Sequence, residues 1–263
     1  MVKREQVTAA LETIAPLRLA AAWDQVGLLV EGRPEVGRVM TCLTLTERVA
    51  AEAVRERADL VVTHHPLPFR PVGRLTGGDG VGRVLLELIR GGVSVWSSHT
   101  AWDSAAGGIN DQLAALLGLD RVVPVERDVE LPLAGVGRAG TATGSVATLA
   151  RRAAAALAAS AVQLVGNVDR DAGRVGIVCG SGGDMIGMVR RAGCDTLVTG
   201  ELKLHQAVEA EAAGLAVIAV GHHASEHFAM ATLADRLSEA VGGLVCWASR
   251  DERDPLQPLE KHA

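Results

Sequence analysis

Short apolar runs alternate with longer amphipathic patterns along the chain. Three- to seven-residue runs rich in Val, Leu and Ile have the character of buried strands, and between them apolar residues recur at helical spacing. The strands predicted in this way are Val39–Leu45, Leu60–Val62, Val93–Trp96, Val162–Val165, Val175–Cys179, Thr196–Val198, Ala216–Val220 and Leu244–Trp247, and the helices lie near residues 3–14, 47–57, 80–90, 108–117, 145–159, 184–192, 202–213 and 226–241. The alternation predicts a layered α/β fold with a parallel or mixed sheet.

Two stretches of the chain share one outline. Each begins with Asp, continues through a short apolar run to Thr, passes through a helical pattern, and ends in Gly, a second apolar run, His and an acid. The first stretch starts at Asp59 and the second at Asp195. The shared order predicts an internal duplication with halves 1–125 and 126–263; chance similarity between two βα units is the alternative.

Composition and charge narrow the class of protein. The 263 residues are 48% hydrophobic, enough to bury the core of one large or two small domains. A net charge of −5 with only 2% aromatic residues argues against a nucleic-acid-binding surface and against an anionic membrane as partner. The N-terminal sequence lacks the apolar core of a signal peptide, and the apolar runs are too short to span a bilayer. We therefore expect a soluble, cytoplasmic protein.

Histidines and acids follow three of the predicted strands. In open α/β sheets, ligands bind outside the carboxyl ends of the strands, where loops distant in sequence meet. Imidazole and carboxylate groups at those ends are typical ligands of divalent metals. The residues concerned are His64, His65, His99, Asp103, His222 and Glu226.

The spacing of these residues favours two ions over one. His64 and His65 are adjacent, so their side chains diverge and each suits a different ion, whereas His222 and Glu226 lie four residues apart and can face one point. A single His at a strand end is more often a hydrogen-bonded structural residue, but the combination indicates a two-metal site. His99 is the weakest member and is predicted to orient a neighbouring carboxylate or water rather than to contact metal.

A glycine-rich segment, CGSGGD at residues 179–184, joins a predicted strand to a predicted helix. Free backbone amides at such a helix start can receive a phosphate, with Gly180, Gly182 and Lys203 as the contacts. The segment lacks the GK[ST] of a P-loop, so a tight turn without a ligand is the alternative.

Several motifs occur together in one order: WDQVGLLV (23–30), THHP (63–66), HTAWDSAAGGIN (99–110), GSG (180–182), TGELKLH (199–205) and GHHASE (221–226). In these motifs the chain resembles the GTP cyclohydrolase I type 2 homologue family, also called Nif-three-like or dinuclear metal centre hexameric proteins. The resemblance spans nearly the whole chain.

The resemblance implies two intertwined α/β repeats with mixed sheets, in the short form that lacks an inserted domain. It also implies a toroidal homohexamer and a dinuclear centre facing its interior. Zinc, iron, manganese, nickel and cobalt all suit the ligand types, and the sequence does not choose between them. The implied ligands of the two divalent ions are His64, His65, Asp103, His222 and Glu226.

Four residues, at three places in the chain, depart from the pattern of the family. Thr44 stands where relatives commonly have Asp, Ala101 and Trp102 stand where an Asn-Leu pair is usual, and Glu201 replaces a usual Asp. The implied ligands are all present, so metal binding is expected to persist. The altered surroundings mean that a relative's substrate does not transfer to this chain.

Two functions are compatible with these residues. The first is a metal-dependent hydrolase acting on a small molecule, either a nucleotide such as GTP or a phosphoester, with water on the metal ions as the attacking group and no side chain assigned as catalytic. The second is a non-catalytic metal-binding ring with a regulatory, metal-carrier or protein-interaction role. The same ligands serve both.

Overall fold

The computed structural model describes residues 1–257, which form two compact units. The first unit contains Met1–Trp102 and Ala229–Arg253, and the second contains Asp103–Phe228 and residues 254–257. The first unit is therefore built from two separate segments of the chain.

The elements in chain order are β1 (Val2–Lys3), α1 (Arg4–Ile14), β2 (Gly27–Val30), β3 (Glu35–Val36), β4 (Arg38–Cys42), α2 (Glu47–Arg55), β5 (Leu60–Thr63), α3 (Gly80–Gly91), β6 (Ser94–Ser97), α4 (His99–Ser104), α5 (Ile109–Leu116), β7 (Asp120–Arg127), β8 (Gly135–Thr141), α6 (Val146–Ala156), β9 (Gln163–Val165), β10 (Arg174–Val178), α7 (Ile186–Arg191), β11 (Thr196–Thr199), α8 (Leu204–Ala212), β12 (Ala216–Ala219), α9 (His222–Glu226), α10 (Ala229–Ala240) and β13 (Val245–Ala248). Every strand and helix predicted from the apolar pattern is present. The structure adds β1, β2, β3, β7, β8, α4 and α9.

The first unit contains a five-stranded mixed sheet in the order β13-β4-β5-β6-β2. The first four strands are parallel, and β2 is antiparallel to β6. All four residues of β5 are buried because helices cover both faces of the sheet. On one face Met40 and Val61 pack in a core with Val49 of α2, and on the other the Thr41 hydroxyl donates to the Met230 carbonyl of α10 at 2.8 Å.

The second unit contains a six-stranded mixed sheet in the order β7-β8-β10-β11-β12-β9. Strands β10, β11 and β12 are parallel, and the other neighbours are antiparallel. Leu149 of α6 packs with Ile177 on one face, and Val189 of α7 packs with Leu197 on the other. The predicted fold class, α/β with mixed sheets, is confirmed.

The compact units do not divide the chain near residue 125. That position falls inside β7, which pairs along its length with β8 in the second unit, so a boundary there would split a hairpin. The proposed ancestry of the two halves stays a prediction. None of the described helices has both the length and the apolar character needed to cross a membrane.

Candidate metal centre

The adjacent histidines extend β5 beyond its last residue. The main-chain N–H of His64 donates to the Cys42 carbonyl and that of His65 donates to the Leu43 carbonyl, both at 2.9 Å. The hydrogen-bond ladder between β5 and β4 therefore continues past the end of β5. The hydroxyl of Ser97 donates to the His64 carbonyl at 2.7 Å. These bonds fix both backbones, and the side chain of His64 is buried.

The structure brings His99 beside this pair. One ring nitrogen from each of His64, His65 and His99 lies within 4.8 Å of the other two, a separation that suits a shared metal ion. His99 begins α4 with φ of +28°, a conformation that non-glycine residues rarely adopt and that is often maintained at functional sites. His99 therefore belongs to the imidazole group of the first unit, closer to a ligand position than the sequence alone indicates.

Asp24 holds the ring of His99. Its side chain is fully buried, one carboxylate oxygen lies 2.7 Å from Nδ1 of His99, and the other accepts hydrogen bonds from the backbone and hydroxyl of Thr100. Burial alone would raise the pKa of Asp24, but the hydrogen bonds from His99 and Thr100 outweigh it and lower the pKa to about 2. Asp24 is a carboxylate at neutral pH. It has no role predicted from the sequence, although it lies in the WDQVG motif.

Thr44 plays the corresponding part for His65. Its hydroxyl lies 2.8 Å from Nδ1 of His65, and its main-chain N–H donates to the carboxylate of Glu252 at 2.6 Å. Thr44 is one of the positions that depart from the family pattern. The departure thus changes the group that orients a candidate ligand.

His222 and Glu226 form a pair on α9 in the second unit. Nε2 of His222 lies 3.2 Å from a Glu226 oxygen, and Nδ1 lies 3.1 Å from Glu201, which also accepts a hydrogen bond from Ser181 at 2.6 Å. The hydrogen bond with Glu226, opposed by burial and assisted by Glu201, raises the pKa of His222 to about 9. The hydrogen bond from Ser181 lowers the pKa of Glu201. The two carboxylates thus stabilise positive charge at this point.

Asp103, near the end of α4, is oriented by Cys179. The thiol donates to an Asp103 carboxylate oxygen at 3.2 Å, and the side chain of Asn110 bridges the Asp103 carbonyl, at 3.0 Å, to the Cys179 N–H, at 2.9 Å. Burial raises the pKa of Cys179 well above its usual value, so the thiol keeps the proton that it donates. The sequence indicates only a buried free thiol at this position.

The glycine-rich turn packs against α9, which carries His222 and Glu226. The N–H of Gly180 donates to the Ser225 hydroxyl at 2.9 Å, and that of Gly182 donates to the Thr199 hydroxyl at 3.0 Å. A Cβ on Gly180 would clash with a Glu226 carboxylate oxygen. These contacts favour the tight-turn alternative, and phosphate binding by Gly180, Gly182 and Lys203 stays a prediction.

Three of the candidate histidines have an oxygen atom beside the same ring nitrogen. In His65, His99 and His222 an oxygen atom from Thr44, Asp24 or Glu201 faces Nδ1. A metal-binding histidine commonly engages its other ring nitrogen in this way, because the bond fixes the tautomer and the orientation of the ring. The donor sets of both units therefore fit a transition metal.

Comparison with known proteins identifies the family of the chain. The sequence model of Duf34/NIF3 (NGG1p interacting factor 3) matches residues 2–255. The chain belongs to this family. The Duf34/NIF3 chain is 30% identical over 251 residues to the GTP cyclohydrolase 1 type 2 homolog of Clostridium perfringens, covering 94% of this chain and 96% of the relative. It is 35% identical over 235 residues to the Streptomyces coelicolor protein of the same name, covering 86% and 82%.

A solved structure shows the same Duf34/NIF3 fold. The Bacillus cereus protein related to NIF3 superposes with a TM-score of 0.91 at 19% identity, covering 98% of this chain and 99% of that one. The resemblance inferred from the motifs is confirmed.

Proposed function

We propose that this Duf34/NIF3 protein is a dinuclear metal-dependent hydrolase that acts on a nucleotide or a phosphoester. The proposed ligands of its two divalent ions are His64, His65, Asp103, His222 and Glu226. The observation that carries the proposal is the oxygen atom facing Nδ1 in His65 and in His222, because a metal-binding histidine is commonly oriented in this way through its other ring nitrogen.

Two divalent ions supply Lewis acidity to such a site, because they lower the pKa of water and polarise the bond under attack. The protein's own groups determine where protons sit around the ligands. Glu201 faces Nδ1 of His222, Cys179 keeps its proton on Sγ and directs it at Asp103, and Asp24 faces Nδ1 of His99. His99 lies outside the five proposed ligands, although one of its ring nitrogens groups with those of His64 and His65.

Metal analysis combined with turnover tests the proposal. Protein purified without a chelating tag is analysed for transition metals and incubated with GTP and with a panel of phosphoesters. We expect two ions per chain and consumption of at least one substrate. The His64→Ala and Glu226→Gln variants should lose metal and turnover together.

The matched control is His205→Ala. His205 is exposed on α8, outside the groups described above, so its removal should change neither metal content nor rate. The hydrolase proposal is rejected if metal-loaded protein consumes no substrate faster than the His64→Ala variant.

A second candidate is a metal-binding ring without turnover, with a regulatory, carrier or protein-interaction role. The family description, NGG1p interacting factor 3, favours it because that description records an interaction rather than a reaction. Metal bound at stoichiometry with no turnover, and a partner protein retained only by metal-loaded protein, would support this candidate over the first.

The proposed assembly is a homohexamer, as the family resemblance implies. Sedimentation velocity should then give a mass near six times the 27.3 kDa of one chain. A monomer or dimer at micromolar concentration would contradict it.

A further inference from the structure

Two exposed aromatic side chains flank His99 in the first unit. The chain has only four Trp and two Phe, yet Trp23 is 62% exposed and Phe69 is 50% exposed. Their ring centroids lie 6.2 Å apart, and they lie 5.9 Å and 6.2 Å from the His99 ring. A protein with so few aromatic residues leaves two of them in solvent at one place.

The structure gives these rings no role in the core of the first unit. Its other two tryptophans before residue 103, Trp96 and Trp102, are buried at 3% and 1% exposure, as packing residues are. The rings of Trp23 and Phe69 are inclined by 49°, so they do not stack on each other and each keeps a face available to a ligand.

Phe69 also lines an open groove of about 1080 Å³ together with the segment that follows it. That volume admits a ligand the size of a nucleotide. Arg70 and Arg74 line the same groove, both are exposed, and neither has an ion-pair partner anywhere in residues 1–257. The groove thus combines an aromatic wall with two available cations.

We propose that Trp23 and Phe69 select a planar heteroaromatic ring, and that Arg70 and Arg74 receive the phosphate attached to it. This inference rests on the proposed hydrolase and names its substrate class as a nucleotide rather than a phosphoester without a ring. Stacking on aromatic side chains tolerates any base, because every base has a flat π-face. Guanidinium groups supply the planar donors that suit phosphate.

Binding of three probes to the full-length, metal-loaded protein tests the inference by calorimetry. The probes are GMP, which has a ring and a phosphate; guanosine, which has only the ring; and ribose 5-phosphate, which has only the phosphate. GMP should bind more tightly than either fragment. Equal affinity for GMP and ribose 5-phosphate would overturn the inference.

Aromatic variants give the second readout. Trp23→Leu and Phe69→Leu keep an apolar side chain but remove the ring, and each should weaken GMP binding about five- to a hundredfold. Trp23→Phe should restore most of the affinity. The control Val129→Ala changes a 94% exposed apolar residue of the second unit and should have no effect. Unchanged GMP affinity in both leucine variants would reject the aromatic site.

Cation variants test the phosphate half. Replacing Arg70 and Arg74 together by Ala should weaken GMP but leave guanosine unchanged. The matched double variant Arg48→Ala/Arg90→Ala removes the same charge from exposed positions outside the groove and should leave both probes unchanged. Equal loss in the two double variants would indicate a general charge effect and overturn the phosphate assignment.

The outcomes for this inference and for the hydrolase are separable. Ring-dependent GMP binding, with no consumption of GTP or of any phosphoester in the panel, would support the aromatic site and reject the hydrolase. Turnover of a ring-free phosphoester at an unchanged rate in Trp23→Leu would do the opposite.

Discussion

At the scale of single residues, the hydroxyl of Thr44 stands where the family resemblance implies a carboxylate. A hydroxyl orients the ring of His65 through Nδ1 but adds no negative charge beside it. We therefore expect the residue at position 44 to affect how tightly His65, a proposed ligand, binds a metal ion.

Replacing Thr44 by Val should therefore weaken metal binding by about tenfold, since partners of a ligating histidine typically contribute ten- to a hundredfold. Thr44→Asp should strengthen it, because a carboxylate makes the imidazole a stronger donor. Competition with a chromogenic chelator measures both affinities. The control is Thr13→Val on an exposed face of α1, and equal affinities in Thr44→Val and this control would contradict the role of the hydroxyl.

Asp24 predicts how the stability of the metal-free protein depends on pH. Its folded-state pKa of about 2 lies below the ordinary 3.8, so ionised Asp24 stabilises the folded chain above pH 3.8, and this contribution is lost as the pH falls toward 2. The shift corresponds to about 2 kcal/mol. Urea unfolding should show Asp24→Asn less stable by about that amount at pH 7. The difference in unfolding free energy between the two proteins should narrow below pH 4. A constant difference from pH 7 to pH 3 would contradict the stabilising role of ionised Asp24.

The sequence predicts candidate ligands better than it predicts the residues that orient them. His64, His65 and His222 stand at the ends of apolar runs, so the strand pattern marks them. Thr44 and Asp24 act across 21 and 75 positions of sequence, and no local pattern encodes such a contact. These contacts exist only once the sheet has formed.

At the scale of elements, the apolar pattern fails to predict strand β8 and two short helices for reasons that the structure makes clear. Strand β8 reads GVGRAGT, with three glycines and a buried arginine where alternating Val and Ile would mark a strand. Arg138 is accommodated because its guanidinium donates to the Asp111 carboxylate at 2.5 and 2.8 Å and to backbone carbonyls. Helices α4 and α9 escape prediction because six and five residues are too few to show a helical period.

The turn after β10 yields a prediction about glycine. Gly180 has φ of +60° and faces Glu226, whereas Gly193 has φ of +73° and has open space where a Cβ would lie. Alanine at either position should cost about 1–2 kcal/mol of backbone strain in urea unfolding. Only Gly180→Ala should also displace the carboxylate of Glu226 and weaken metal binding by more than about tenfold. Equal metal affinities in the two variants would contradict the packing role of Gly180.

At the scale of the whole molecule, the chain leaves the first unit after Trp102 and returns to it at Ala229. The periodicity over residues 226–241 correctly predicts α10, whose Leu233 and Leu237 are buried. The periodicity does not predict which of the two sheets α10 packs against, because an apolar helix face fits any complementary surface. The discontinuous first unit could be found only from three-dimensional contacts.

This arrangement makes metal binding a test of the proposed single centre. A metal that binds only the folded chain should stabilise it by about 2.7 kcal/mol at 100 times its Kd. Because the proposed ligands come from both units, binding should protect both donor groups. Hydrogen exchange should slow together at residues 63–65 and at 222–226. His64→Ala should abolish the slowing at both segments, whereas the exposed-site control His205→Ala should retain it. Slowing confined to one segment would show that metal binds at only one of the two donor groups, and the dinuclear centre would be rejected.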